Sequence, residues 1–297
     1  MPTPFCGHAD LRQLLARMQA RPAGAYGFFG PEHVGKRRLA EQFARDLVNH
    51  PEPLPLEGHP DLALLDAEAE AGIEAVRAFL ERTHRTAARG GRRVFLIDHA
   101  EGLNTAGFNA LLKDVEEPRP GVTFLFISSQ PDRLPATLRS RLVPLSVREV
   151  PRSELQPWAQ ALGMASDWVD EAHGRPGLLL RRHEQPEWWD RLADTATRLE
   201  QGFAHPEPGR LVAALDDWQK SLDAYDEGDQ AWRVLLLLLS RRQAQRGMSV
   251  PAWGEAVRLA WQAVGGPLPV RLAFEWKRLE ALVPAHQRLQ AVEAWAR

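Results

Sequence analysis

The run GFFGPEHVGKRRLAEQF, residues 27–43, joins an apolar stretch, a glycine-flanked turn and an amphipathic stretch. Gly30, Gly35 and Lys36 have the spacing of a phosphate-cradling loop, in which backbone N–H groups wrap phosphates and the lysine reaches the terminal ones. Such a loop follows a strand and opens a helix. AYGFFG, 25–30, supplies the strand, and KRRLAEQFARDLV, 36–48, spaces Leu39, Phe43 and Leu47 four residues apart, as a helix requires. One position departs from the pattern. Ser or Thr should follow the lysine and hold magnesium through its hydroxyl, but Arg37 stands there, bringing bulk and positive charge in place of the metal.

Outward from this loop, apolar runs of strand length alternate with helical stretches, the signature of a parallel sheet covered by helices. DLALLDA at 61–67, RRVFLIDHA at 92–100 and TFLFISS at 123–129 read as buried strands. Between them, IEAVRAFLERTH at 73–84 places Ile73, Val76, Phe79 and Leu80 on one helical face. From about Pro151 the strands stop and the pattern becomes helical, punctuated by proline and glycine. A second interruption falls at HPEPGR, 205–210. The expected organisation is therefore an α/β domain over 1–148, a small helical domain over 149–204 and an all-α domain over 205–297.

Composition narrows the functional classes. With 44% hydrophobic residues, 26% charged residues and a formal charge of -2, the chain has no global signature of polyanion or membrane binding. Its longest purely apolar run, Val234 to Leu239, falls far short of the ~20 residues needed to span a bilayer. No secretory pattern opens the sequence, so a cytoplasmic location and no membrane partner are expected. Cys6, the sole cysteine, excludes a disulfide within the chain and any multi-cysteine zinc cluster, and reads as a small packed residue. His50 and His59 alone make a poor metal site, so no metal is expected. The ten tryptophans, all in the helical half, read mostly as anchors between helices. Arg85, Arg89, Arg92 and Arg93 form a basic cluster that reads as a solvated face with a capacity for phosphates.

Asp98, at the end of the VFLID strand, occupies the place of a carboxylate that supports magnesium. The following residue should be a glutamate that activates water, and it is His99. Glu101 comes two places later. On an extended segment that displacement is about 6 to 7 Å, which makes Glu101 a poor substitute. Metal support and general base are thus both altered, and Arg37 is expected to pair with Asp98 in place of the ion.

Three further stretches carry a resemblance: NTAGFNALLKDVEEPRPGVTFLFISSQPDRLPATLRSRL at 104–142, GHPDL at 58–62 and HGRPGLLL at 173–180. With the loop, they make the chain similar to bacterial clamp-loader subunits of the AAA+ superfamily, and most to the delta prime family of the DNA polymerase III holoenzyme. The resemblance implies an α/β P-loop NTPase-like domain, a helical lid and a helical collar through which subunits join in a ring. It implies a subunit that hydrolyses little or no nucleotide, with Gly30, Gly35, Lys36 and Asp98 as a degenerate site, ATP or ADP bound weakly at most, and no zinc. It also implies that Arg141, within Ser140-Arg141-Leu142, is an arginine finger reaching a neighbour's nucleotide, while Arg139 is a surface charge. The implied partners are gamma/tau and delta subunits and, through the assembled complex, the sliding clamp and primer-template DNA. Ser128 or Ser129 stands where active members sense the terminal phosphate, and Gly177 stands where they carry a lid arginine, with Arg175 two residues earlier. The competing reading is an ATP-hydrolysing motor subunit of the gamma/tau type, against which Arg37, His99 and Gly177 argue.

Overall fold

The computed structural model describes residues 5–49, 59–69, 72–84, 87 and 91–204. The chain divides into two compact units, Met1–Leu180 and Arg181–Arg297. In the first, α1 (Ala9–Met18) leads to β1 (Ala25–Phe29), the glycine loop and α2 (Lys36–Val48). There follow β2 (Leu62–Asp66), α3 (Ile73–Glu81), β3 (Arg93–Asp98), α4 (Thr105–Glu116), β4 (Val122–Ser128), the short α5 (Ala136–Arg139) and β5 (Val143–Ser146). Helices α6 (Arg152–Ala161), α7 (Ser166–Ala172), α8 (Pro176–Glu184) and α9 (Pro186–Ala204) complete the described residues.

All five strands pair in parallel, in the order β2-β3-β4-β1-β5. Every residue of β3 and β4 is buried, as a sheet covered on both faces demands. Alternation along each strand divides the core in two. Phe95, Ile97, Phe124 and Phe126 face one way, against Phe79 of α3 and Phe108 and Leu111 of α4. Val94, Leu96, Leu125 and Ile127 face the other, against Leu39, Phe43 and Leu47 of α2. Rings meet edge-on at Phe79–Phe95 and Tyr26–Phe43, with centroids 5.3 and 5.2 Å apart. Each fully buried side chain of this kind contributes about 1.5–3 kcal/mol.

The four strands expected from the apolar runs are present, and β5 is an addition. Its four residues, VPLS, are few and include Pro144, which lacks a ladder donor; the edge of the sheet tolerates this. Parallel pairing brings the carboxyl ends of β1, β3 and β4 to one rim, so Gly30, Asp98 and Ser129 gather there despite their distance in sequence. The last strand ends at Ser146 and Pro151 caps α6, so the described chain is helical from there on. In the second unit, Trp188, Trp189, Leu192 and Ala196 are buried, and Arg181 lies over the Trp188 ring at 3.9 Å. The expected all-α domain over 205–297 and its tryptophans lie outside the described residues. No described helix is long and apolar enough to cross a membrane.

Candidate functional site

The loop forms because two glycines answer two different constraints. A Cβ on Gly30 would stand 1.9 Å from the Val147 carbonyl oxygen, so only glycine lets β1 leave the sheet beside β5. Gly35 has a φ of 99°, a left-handed conformation that costs an L side chain about 1–2 kcal/mol, and it caps α2 in open space. His33 also has a positive φ, 64°. Lys36 opens α2 and is buried, its Nζ donating to the Pro31 carbonyl at 2.6 Å. Burial pushes Lys36 down to about 8, against the upward pull of Glu32, Glu101 and Asp98.

Arg37 occupies the place of the expected hydroxyl, and its Nη1 lies 3.2 Å from Asp98 Oδ2, the pairing expected from the sequence. Its Nε binds Glu41 one turn along α2, at 2.8 Å. The Asp98 side chain is 4% exposed, and burial holds its carboxyl above the ordinary range even with Arg37 and His99 alongside. The backbone N–H of His99 donates to Asp98 Oδ1 at 2.9 Å. The His99 ring is surrounded by carboxylates, with Nδ1 3.0 Å from Asp66 Oδ1 and 3.9 Å from Asp98 Oδ1, and Nε2 3.6 Å from Glu68 Oε2. Burial alone would lower His99; Asp98, the Asp66 hydrogen bond and Glu68 reverse this and raise it, which favours imidazolium over a general base.

Donor atoms of Asp66, Asp98 and His99 lie within 4.8 Å of one another, yet the positive charge nearest Asp98 is a guanidinium of the protein itself. Magnesium beside a bound nucleotide would need a hydroxyl at position 37 and the Asp98 carboxylate free to face it. The residues present do not fit that ion. The cradle for phosphates fits better, since its glycine geometry and lysine are intact.

Glu101 is the residue that the sequence reading misplaced. The segment after Asp98 is not extended: His99 is left-handed at φ 47°, and Ala100–Gly102 form a 3-10 turn that folds Glu101 back toward the rim. Glu101 Oε1 accepts from the Ser129 hydroxyl at 2.5 Å and from its backbone N–H at 3.0 Å, while buried Oε2 has no hydrogen-bond partner. Burial alone would raise the Glu101 carboxyl; hydrogen bonds from Ser129, its own backbone N–H and Ser128 outweigh it and hold it low. Ser129 Oγ also lies 3.4 Å from Glu32 Oε1, whereas the Ser128 hydroxyl accepts from the Gln130 N–H. The signal in the sequence was a histidine at the end of a strand, a residue type enriched in left-handed conformations.

The loop is also pinned from outside. His8 Nε2 lies 2.9 Å from the Val34 carbonyl, and the Gly177 N–H, in the first turn of α8, donates to the His33 carbonyl at 2.9 Å. A Cβ on Gly177 would stand 3.0 to 3.3 Å from His33, so glycine permits this approach. Arg175 points to Glu149, with two contacts of 3.1 Å.

Arg141 lies away from this rim, just beyond α5. Its Nη2 is 2.6 Å from Glu116 Oε1 and its Nη1 donates to the Thr137 carbonyl at 2.5 Å. Arg139 pairs instead with Asp132, at 2.6 Å on the surface. Of the basic cluster, Arg85 and Arg89 lie outside the described residues. Arg93 corrects the solvated-face reading: it is buried beside Asp61 and donates to the Arg82 and Pro60 carbonyls. Arg92 ties β3 to the end of α1 through the Gln19 and Ala20 carbonyls. Cys6 is buried, which pushes its thiol up to about 12.

The sequence model of a family described as "DNA polymerase III, delta subunit" matches residues 8–151. The DNA polymerase III subunit delta' of Pseudomonas aeruginosa is 38% identical over 141 residues, covering 42% of this chain and 43% of that protein. The DNA polymerase III subunit gamma/tau of Mycobacterium tuberculosis H37Rv is 35% identical over 132 residues, covering 39% of this chain and 23% of that protein. The chain thus spans less than half the length of these curated relatives. Among solved structures, a DNA polymerase III gamma subunit-related protein of Thermotoga maritima superposes with a TM-score of 0.50 at 15% identity, covering 90% of this chain and 99% of that one. That likeness concerns the fold alone.

Proposed function

We propose that this chain, whose residues 8–151 match the sequence model described as "DNA polymerase III, delta subunit", is a ring subunit of a replicative clamp loader that lacks effective ATP hydrolysis at its own site. The observation that carries the reading is the Arg37–Asp98 contact of 3.2 Å at the rim of the sheet. A protein cation on the carboxylate competes with magnesium for it, and phosphoryl transfer without its metal loses most of its electrostatic support. His99, raised by its carboxylate neighbours, does not replace the missing base. Gly30, Gly35 and Lys36 then hold ATP or ADP weakly, and Asp98 serves the fold.

In this reading the subunit acts through its interfaces. Residues 1–148 are the AAA+ domain, 149–204 the lid and 205–297 the collar. Partners are gamma/tau and delta subunits in the cytoplasm, with the sliding clamp and primer-template DNA reached through the assembly. Arg141 enters a neighbour's nucleotide site, where a guanidinium delivered in trans is worth roughly 10³ to 10⁵ in rate. The gamma/tau relatives favour one alternative, a motor subunit that hydrolyses ATP itself. Two measurements decide. The isolated chain with ATP and magnesium should turn over negligibly, and robust hydrolysis would establish the motor reading. In the reconstituted ring, Arg141→Ala should lower DNA-stimulated ATPase and clamp loading while leaving the assembly intact; unchanged activity rejects the role in trans.

A further inference from the structure

Glu116 is the last residue of α4 and Glu117 caps that helix. The carboxyl end of a helix carries partial negative charge, so two carboxylates there are unfavourable for α4 itself. The cation that offsets Glu116 comes from another element: Arg141, 25 positions later and beyond an intervening strand, reaches it at 2.6 Å. With Nη2 on Glu116 and Nη1 on the Thr137 carbonyl and near Ser140 Oγ, both terminal nitrogens of the guanidinium are engaged within the chain. Presenting both terminal nitrogens to an external anion therefore means giving up part of this set.

From this geometry we infer that Glu116 is a positioning residue that parks Arg141 in the unassembled subunit and exchanges it for the terminal phosphates of a nucleotide held by a neighbouring subunit. The inference rests on the reading of Arg141 as an arginine finger. The exchange is chemically balanced, since a carboxylate and a phosphate oxygen both accept two N–H donors from one guanidinium. It is also readily reversible. Both side chains are substantially exposed, 36% for Arg141 and 43% for Glu116, so the pair is screened by water and salt and holds the arginine only weakly. Glu116 therefore sets the fraction of Arg141 available and lowers the positive potential it carries into the neighbour's site. Removing the carboxylate frees the finger.

Two experiments on the full chain test this. In the first, phenylglyoxal labelling of the isolated protein is followed residue by residue with mass spectrometry. Glu116→Gln should raise labelling of Arg141 by about two- to five-fold, the span of an exposed ion pair, and leave Arg139 unchanged. In the second, the reconstituted ring is titrated with ATP. Glu116→Gln should lower half-saturating ATP or raise DNA-stimulated turnover by a similar factor, and should have no effect in an Arg141→Ala background. Unaltered Arg141 labelling overturns the inference, and so does a Glu116→Gln effect that persists without Arg141. If Arg141→Ala alone leaves the ring's rate unchanged, the arginine-finger reading fails first and the parking role falls with it. An Arg141→Ala ring that slows, beside a Glu116→Gln ring that behaves as wild type, sinks the parking role alone.

Discussion

Two guanidinium–carboxylate pairs, Arg37–Asp98 at the rim of the sheet and Arg141–Glu116 beyond α5, are the same interaction in opposite surroundings. The Asp98 side chain is 4% exposed and its partner 44%, whereas Glu116 and Arg141 are 43% and 36% exposed. A buried carboxylate without its cation bears a desolvation cost that the His99 N–H and ring relieve only in part, so its pair is held more firmly. An exposed carboxylate is solvated with or without its partner, so its pair can be exchanged. The rim pair is thus tied to the fold, whereas the pair beside α5 is open to exchange. Substitutions at the rim should register in stability, and those at the turn in assembly activity.

The largest effect is expected at Gly30. A methyl group there would stand 1.9 Å from the Val147 carbonyl oxygen, just past β5, and the two segments cannot part without straining the hydrogen bond from the Val147 N–H to the Phe29 carbonyl. Gly30→Ala should therefore cost about 3 kcal/mol or more in chemical denaturation. Gly35→Ala meets open space and should cost only the left-handed strain, about 1–2 kcal/mol. Equal losses at both glycines would mean that conformation, and not close approach, limits the loop.

Lys36 follows, with the opposite sign. Its amine is lowered from 10.5 to about 8 by burial, so between those values the unfolded chain binds more protons than the native one. Native stability consequently rises as pH climbs from about 8 toward 10.5, and the burden is complete below about 8. That burden is on the order of 3 kcal/mol, offset by about 1 for the hydrogen bond to Pro31. Lys36→Met should thus gain about 2 kcal/mol at pH 7, with the gain shrinking as pH passes 8. A variant no more stable than wild type at pH 7 would show that burial costs the Lys36 ammonium less than this depression implies.

Arg37→Ala tests the rim pair itself. It leaves the Asp98 carboxylate buried with one backbone donor, and should cost about 1–2 kcal/mol; the exposure of Arg37 keeps the loss below that of a fully buried pair. Arg37→Met separates packing from charge. If it restores stability, the aliphatic stem matters and the pair does not.

The rim was legible in the sequence wherever one residue's position follows from a strand. Buried strands of a parallel sheet are continuous apolar runs, so β1 to β4 and the carboxyl-end position of Asp98 could be read directly. The β5 strand is short, proline-bearing and at the edge, and carries no such run. Glu101 was misplaced because one left-handed residue, His99, reverses the chain between two side chains only two positions apart. Arg93 looked like one charge of a surface cluster, since four arginines in nine positions give no sign of which turns inward to carbonyl oxygens. Arg141 stood out by its surrounding motif, while its partner Glu116 lies across a strand and had no local signal.

The smallest stability effect is expected at Arg141, and its smallness is what distinguishes the two pairs. Arg141→Ala removes two hydrogen bonds and an ion pair, a larger inventory than Arg37 offers Asp98. By counting contacts it should be the more damaging change. Exposure decides otherwise: Glu116 and the Thr137 carbonyl can exchange the lost guanidinium for water, so the loss should stay below about 0.5 kcal/mol and vanish at high salt. Denaturation of Arg37→Ala and Arg141→Ala side by side, at low and high ionic strength, measures the contrast. Comparable losses that persist in salt would mean that Arg141 is locked into the fold, and a side chain so held could not serve a second subunit.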